Sequence, residues 1–189
     1  YYSSSPLQTW EAILLGSLAW AGSGFFVSWL TTNVVIQTAI WLPLILFSID
    51  RIFAGDKKIS PVLLVFSLAS AFLAGHLQLD FYILVVSALY FLWKAVSNKQ
   101  FHPVLTVLVC FGLFAVIISF VWWPAMQFIA FSGRNLDQAV WQKPDWCIPW
   151  QHLVQFLAPD YFGNPATLNY FGVWNYAEFV GYIGLIPLI

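Results

Sequence analysis

Charge is the scarcest thing in this chain: of 189 residues only 8% are Asp, Glu, Lys or Arg, seven of them basic and eight acidic. A soluble domain carries about 25%, so the soluble globular class is excluded at once. Charge is absent altogether from Ala12–Ile49, Ser60–Leu79 and Val104–Phe131. Spanning a bilayer's hydrocarbon core takes about 20 apolar helical residues, so these stretches predict transmembrane helices. Basic clusters are absent too, which leaves no surface for nucleic acid. Cysteine is nearly absent: Cys110 falls in an apolar stretch and Cys147 in a polar one, with no metal-ligand spacing around either. There is no HExxH, nucleophile elbow, phosphate-cradling glycine loop or CxxC pair. No signal peptide or basic leader is visible, and the chain runs from Tyr1-Tyr2 to an apolar end at Ile189, as expected of an internal fragment of a longer protein.

What is present predicts an all-α, polytopic transmembrane helical bundle of five spans plus the start of a sixth. The uncharged run Ala12–Ile49 is too long for one span. Gly22-Ser23-Gly24 loosens it, Thr31-Thr32-Asn33 offers a polar turn with a cap at Asn33, and Pro43 predicts a kink. The spans are placed at 10–30, 34–53, 60–76, 81–97, 104–124 and 179–189, the last cut off, within one membrane domain covering 1–189. Loops 50–58 and 94–102 hold five of the seven basic residues, and alternating spans put both on one side. The positive-inside rule makes that side cytoplasmic. Residues 132–178 then form an extracytoplasmic insert.

That insert has ten aromatics and four prolines in 47 residues. Between Pro149 and Pro159, Trp150, Leu153, Val154 and Leu157 recur at helical spacing opposite Gln151, His152 and Gln155. The pattern predicts a short helix over 150–157 lying in the membrane interface, as an aromatic belt or as one wall of a lipid-substrate groove.

Four ionisable residues are candidates for chemistry. Arg134 stands on the side where basic residues are not favoured; its fork suits a phosphate, or a salt bridge to Asp137 three residues on. His76 and Asp80 bracket the link between the third and fourth spans, where a polar turn needs polar residues in any case. Asp160 lies in PDYFGNP, a rigid turn that sets a carboxylate beside Tyr161 and Phe162. Dry aromatic surroundings raise a carboxyl toward the pKa a general base needs, although Asp after Pro is also an ordinary turn residue.

Four collinear stretches then carry a family likeness: PLILFSIDRIFAG, GHLQLDFYILVVSALYFLWK, WWPAMQFIAFSGR and LVQFLAPDYFGNP with NYFGVWNYAEFVGYIGLIPLI. They resemble the bacterial YfhO-type membrane proteins, grouped with the GT-C-like glycosyltransferases that use polyprenyl-phosphate sugars. The resemblance implies hexosyl transfer from a polyprenyl-phosphate-linked donor to a cell-envelope acceptor, outside the cytoplasm. It names no organic cofactor and leaves a divalent metal open. In that superfamily the base is usually a carboxylate in the first extracytoplasmic loop, which the resemblance places upstream of Tyr1. No catalytic residue is therefore carried over, and Asp160, Asp80 and His76 stand as candidates on their own chemistry. Arg134 and the PDYFG segment match family-like positions. The competing reading is a transporter or flippase for a lipid-linked or small amphiphilic substrate. It needs a polar path near the midplane, whereas the ionisable groups here gather toward one surface.

Overall fold

The computed structural model describes residues 6–98, 100–132, 148–173 and 175–184, and among them there is helix and no strand. Seven α-helices come first: α1 (Pro6–Ala21), α2 (Gly24–Ser28), α3 (Asn33–Ala39), α4 (Leu42–Phe53), α5 (Ile59–Leu73), α6 (Leu77–Asn98) and α7 (Phe101–Ala130). Two 3₁₀ helices, Trp150–Phe156 and Pro165–Thr167, and the short α8 (Tyr176–Phe179) follow. Among the described residues four stretches are long and apolar enough to cross a membrane: Trp10–Ser28, Asn33–Phe53, Leu77–Asn98 and Phe101–Ala130. The third predicted span is α5, 15 residues long, short of the roughly 20 that a perpendicular crossing needs.

The breaks have local causes. Ser23 caps α2, its hydroxyl accepting the Phe26 N–H at 3.5 Å. Pro43 sits in the first turn of α4, where its missing N–H costs no helical bond, so the predicted kink becomes a break after Ala39. At Gly75 the chain leaves α5 with φ +93°, a left-handed turn that a side chain would resist. The fifth span runs beyond Pro124 to Ala130; a membrane helix tolerates an interior proline when neighbours satisfy the freed backbone.

The chain divides into two compact units, Asn33–Gln142 and a second built from Tyr1–Thr32 with Lys143–Ile189. In Asn33–Gln142, α4, α5, α6 and α7 enclose a core of Ile45, Ile49, Leu64, Leu68, Val107 and Phe114. Lipid is as apolar as these side chains, so close packing rather than water exclusion holds such helices together. Ser48, Ser67, Ser87 and Ala71 are fully buried and small enough for backbones to approach. Each serine returns its hydroxyl to the carbonyl four residues back, at 2.7 Å.

At one end of this unit Lys94 of α6 pairs with Asp50 of α4, and the Tyr90 hydroxyl donates to the same carboxylate at 2.8 Å. A cavity of about 180 Å³ at that end is lined by Gly55, Asp56 and Lys57 together with Gln100 and His102. The two basic loops therefore meet at the same end of the bundle. Asp56 caps α5, accepting from the Lys58 and Ile59 N–H groups and from the Ser60 hydroxyl. Those bonds, the Lys58 one foremost, hold its carboxyl below the usual range.

Candidate functional site: a carboxylate cleft beside the first span

In the second unit the insert is fastened to the end of the first span. The Trp29 indole N–H donates to the Ala177 carbonyl at 3.1 Å, and the Gly24 N–H donates to the Tyr182 carbonyl at 2.6 Å. A Cβ at Gly24 would run into the Val180 side chain and force it to shift. This docking also explains a departure from expectation. Helix α8 stops at Phe179, and residues 180–184 are not helical where a sixth span was predicted to begin. The segment is irregular, with Gly184 at φ +100°, and it is held to α2 through the Tyr182 carbonyl.

The first 3₁₀ helix occupies the place predicted for an interfacial α-helix, and two of its three predicted polar residues, His152 and Gln155, are turned inward while Gln151 stays exposed. His152 and Gln155 are 2% and 0% exposed, while Trp150 and Leu153 are 77% and 57% exposed. Three residues per turn put 152 directly beneath 155, so the two side chains satisfy each other. The Val173 N–H donates to His152 Nε2 at 3.4 Å, which fixes the tautomer: Nδ1–H donates to Gln155 Oε1 at 2.7 Å. Gln155 Nε2–H donates in turn to the Pro159 carbonyl at 3.1 Å. The imidazole stacks on Phe162 at 4.4 Å and packs on Phe179 at 4.6 Å. This histidine is a satisfied core residue that orders the insert.

Beside that core lies a cleft of about 720 Å³, between the α2 end and the PDYFGNP turn. Its walls carry Trp29, Thr31 and Thr32 on one side and Asp160, Asn164 and Tyr176 on the other. Asp160 Oδ1 accepts from the Tyr176 hydroxyl at 2.8 Å and from Asn164 Nδ2 at 2.9 Å. Both bonds fall on one oxygen, so the carboxylate is held in place while Oδ2 has no partner among the described residues. Asp160 is exposed rather than enclosed by aromatics. Phe162, expected beside it, is drawn onto His152 instead. Burial, followed by the hydrogen bond and charge of Asp160, pushes the Tyr176 phenol up to about 12, and burial also raises Tyr170. Tyr176 is thus a donor at every physiological pH. Anchored carboxylate, amide and hydroxyl groups beside an indole can grip a polyhydroxylated ligand.

The other candidates lie elsewhere. His76 is a helix cap: its Nδ1 accepts the Leu79 N–H at 3.2 Å and its carbonyl accepts the Asp80 N–H at 3.0 Å. Because α6 begins only at Leu77, His76 and Asp80 do not share a helix face. Asp80 is 3% exposed, and its Oδ1 has no partner among the described residues. Arg134 lies outside the described residues, as do Asp137 and Cys147. Cys110 is a buried free thiol on α7. Among the described residues no three His, Cys, Asp or Glu side chains stand close enough to hold a metal ion. Sequence reasoning missed Tyr176, whose bond to Asp160 spans 16 residues. Asn164 was within reach as the fourth residue on in the same turn. A second concavity of about 700 Å³, between α5 and α7, is apolar and holds no carboxylate. It lies toward the end of the bundle where the basic loops meet.

The model of the bacterial membrane protein family YfhO matches residues 1–189. The chain belongs to the YfhO family. No curated protein and no solved structure matches it. As a YfhO-family chain with several membrane-length apolar helices, it is a multi-pass bacterial membrane protein in contact with the lipid bilayer.

Proposed function

We infer that this YfhO-family protein is a GT-C-like membrane glycosyltransferase, passing a sugar from a polyprenyl-phosphate-linked donor to a cell-envelope acceptor. The observation that carries the reading is Asp160, held through Oδ1 by Tyr176 and Asn164 with Oδ2 unpartnered among the described residues, at a cleft beside a membrane span. In such a site Oδ2 accepts a hydrogen bond from a sugar hydroxyl, with Tyr176 and Asn164 keeping the carboxylate from turning away. Positioning of this kind lowers the barrier by fixing the reacting groups near their attack geometry. Arg134 is the proposed contact for the donor phosphate, where a guanidinium stabilises charge developing on the leaving group. The cleft then lies outside the cytoplasm, loops 50–58 and 94–102 inside it. The base that deprotonates the acceptor is left unassigned: His76 is occupied as a cap and Asp80 is buried.

The alternative, a transporter or flippase for a lipid-linked substrate, draws on the buried Asp80, since intramembrane carboxylates mark substrate or ion paths. The two readings separate in one experiment. The full-length protein in nanodiscs receives a polyprenyl-phosphate donor with a labelled sugar, plus envelope acceptor. The enzyme reading expects labelled acceptor and free polyprenyl phosphate. Intact donor that changes leaflet in vesicles would instead establish transport.

A further inference from the structure

The Trp150–Phe156 3₁₀ helix buries two of its polar side chains, His152 and Gln155, and leaves Trp150, Leu153 and Phe156 exposed, with Gln151 the one exposed polar residue on it. In a 3₁₀ helix residues three apart eclipse, so Trp150, Leu153 and Phe156 form a single row, and all three are exposed. Across 148–173 the only Asp, Glu, Lys or Arg is Asp160, so no charge interrupts this surface. An exposed apolar row of this kind marks an interaction site.

The row is continuous with a membrane span. The Phe156 ring rests on Gly181, where any Cβ would collide with it. The next residue, Tyr182, accepts the Gly24 N–H through its carbonyl. Gly24 opens the last turns of the Trp10–Ser28 span. Two contacts thus tie the row to the end of a helix that lipid surrounds, at the depth where tryptophan settles with its ring in the apolar boundary and its N–H in the wet one. We propose that the row Trp150–Leu153–Phe156 is a membrane seat, lying in the boundary between headgroups and acyl chains and holding the insert against the bilayer. The Gln155–Pro159 hydrogen bond joins this seat to the wall that bears Asp160. The seat therefore sets the depth of the cleft mouth at the level of lipid headgroups. It does so whatever reaction the cleft serves.

The test uses full-length protein in nanodiscs, with Cys110 and Cys147 replaced and a nitroxide attached singly at Trp150→Cys, Leu153→Cys or Phe156→Cys. The exposed polar residue Thr167→Cys serves as control. Accessibility to oxygen, which partitions into lipid, is compared with that to a water-soluble nickel chelate. At 150, 153 and 156 oxygen collisions exceed nickel collisions, and at 167 the ratio reverses. Nickel-dominated collisions along the row would overturn the proposal by placing it in water. Immobilised labels reached by neither collider would overturn it too, by showing that another protein covers the row.

Discussion

The two units handle polar groups in opposite ways. Within the Asn33–Gln142 bundle the buried serines Ser48, Ser67 and Ser87 turn their hydroxyls back onto their own helices, and polar contact between helices is kept to one end, where Tyr90 and Lys94 meet Asp50. In the unit formed by Tyr1–Thr32 and Lys143–Ile189, polar groups reach across the chain: Tyr176 to Asp160, Val173 to His152, Trp29 to Ala177, the last 148 residues apart. The same contrast separates their carboxylates. Asp80 is buried with an oxygen unpartnered among the described residues, and Asp160 is exposed with an oxygen gripped twice. A lipid-solvated bundle keeps its polarity local because an unsatisfied group in hydrocarbon costs several kcal/mol. An insert at the membrane surface can build a polar interior and shape it around a ligand.

The contrast is broken most severely at His152. Replacing it by alanine removes a ring packed between Phe162 and Phe179 and leaves buried Gln155 without its donor. The cost to the insert is about 3 kcal/mol. Limited proteolysis in nanodiscs is expected to cut between residues 148 and 184 far faster than in the parent, with the α4–α7 bundle intact. Unchanged resistance would mean that the buried histidine does not organise the insert.

Tyr176→Phe is milder, losing one hydrogen bond worth about 1 kcal/mol and freeing Asp160 to rotate. It also carries a pH signature. The phenol is raised from 10.0 to about 12 in the folded protein. Between those values the folded state holds a proton that the unfolded state has released. That contribution to stability is therefore complete below about pH 10 and lost as pH rises toward 12. An unfolding midpoint that declines over this window in the parent and less steeply in the phenylalanine variant bears this out. Parallel declines would remove Tyr176 from the account.

The smallest effect is expected at Asp80→Asn. With no partner for Oδ1 among the described residues, an isosteric neutral side chain removes no bond to that oxygen. Thermal unfolding in detergent should move by less than about 1 kcal/mol, or toward greater stability. A large loss would reveal a cation or donor paired with Asp80 and weaken the distinction from Asp160.

Much of the bundle was legible because charge gaps, Gly22–Gly24 and Pro43 are local signals that lipid enforces. The insert was legible as a region and misread in detail. A period of 3.6 residues set Gln151, His152 and Gln155 together opposite an apolar face, which led to a helix lying in the interface with all three on its polar side. The period of three instead closes those two side chains on each other. Residues 180–184 are not helical for a similar reason: their composition is apolar, but Gly181 and the Tyr182 carbonyl are committed to Phe156 and Gly24. Asp160 could be singled out from its turn, whereas Tyr176 could be found only from the fold.

The central claim, that the cleft around Asp160 handles the sugar, is tested most directly by Asp160→Asn in the labelled-donor assay. A hydrogen bond from a ligand hydroxyl to a charged acceptor is worth about 1.5–3 kcal/mol, so kcat/KM for sugar transfer should fall roughly 10- to 100-fold, with the unfolding midpoint unchanged. Transfer at the parent rate by a correctly folded Asp160→Asn protein would contradict the account.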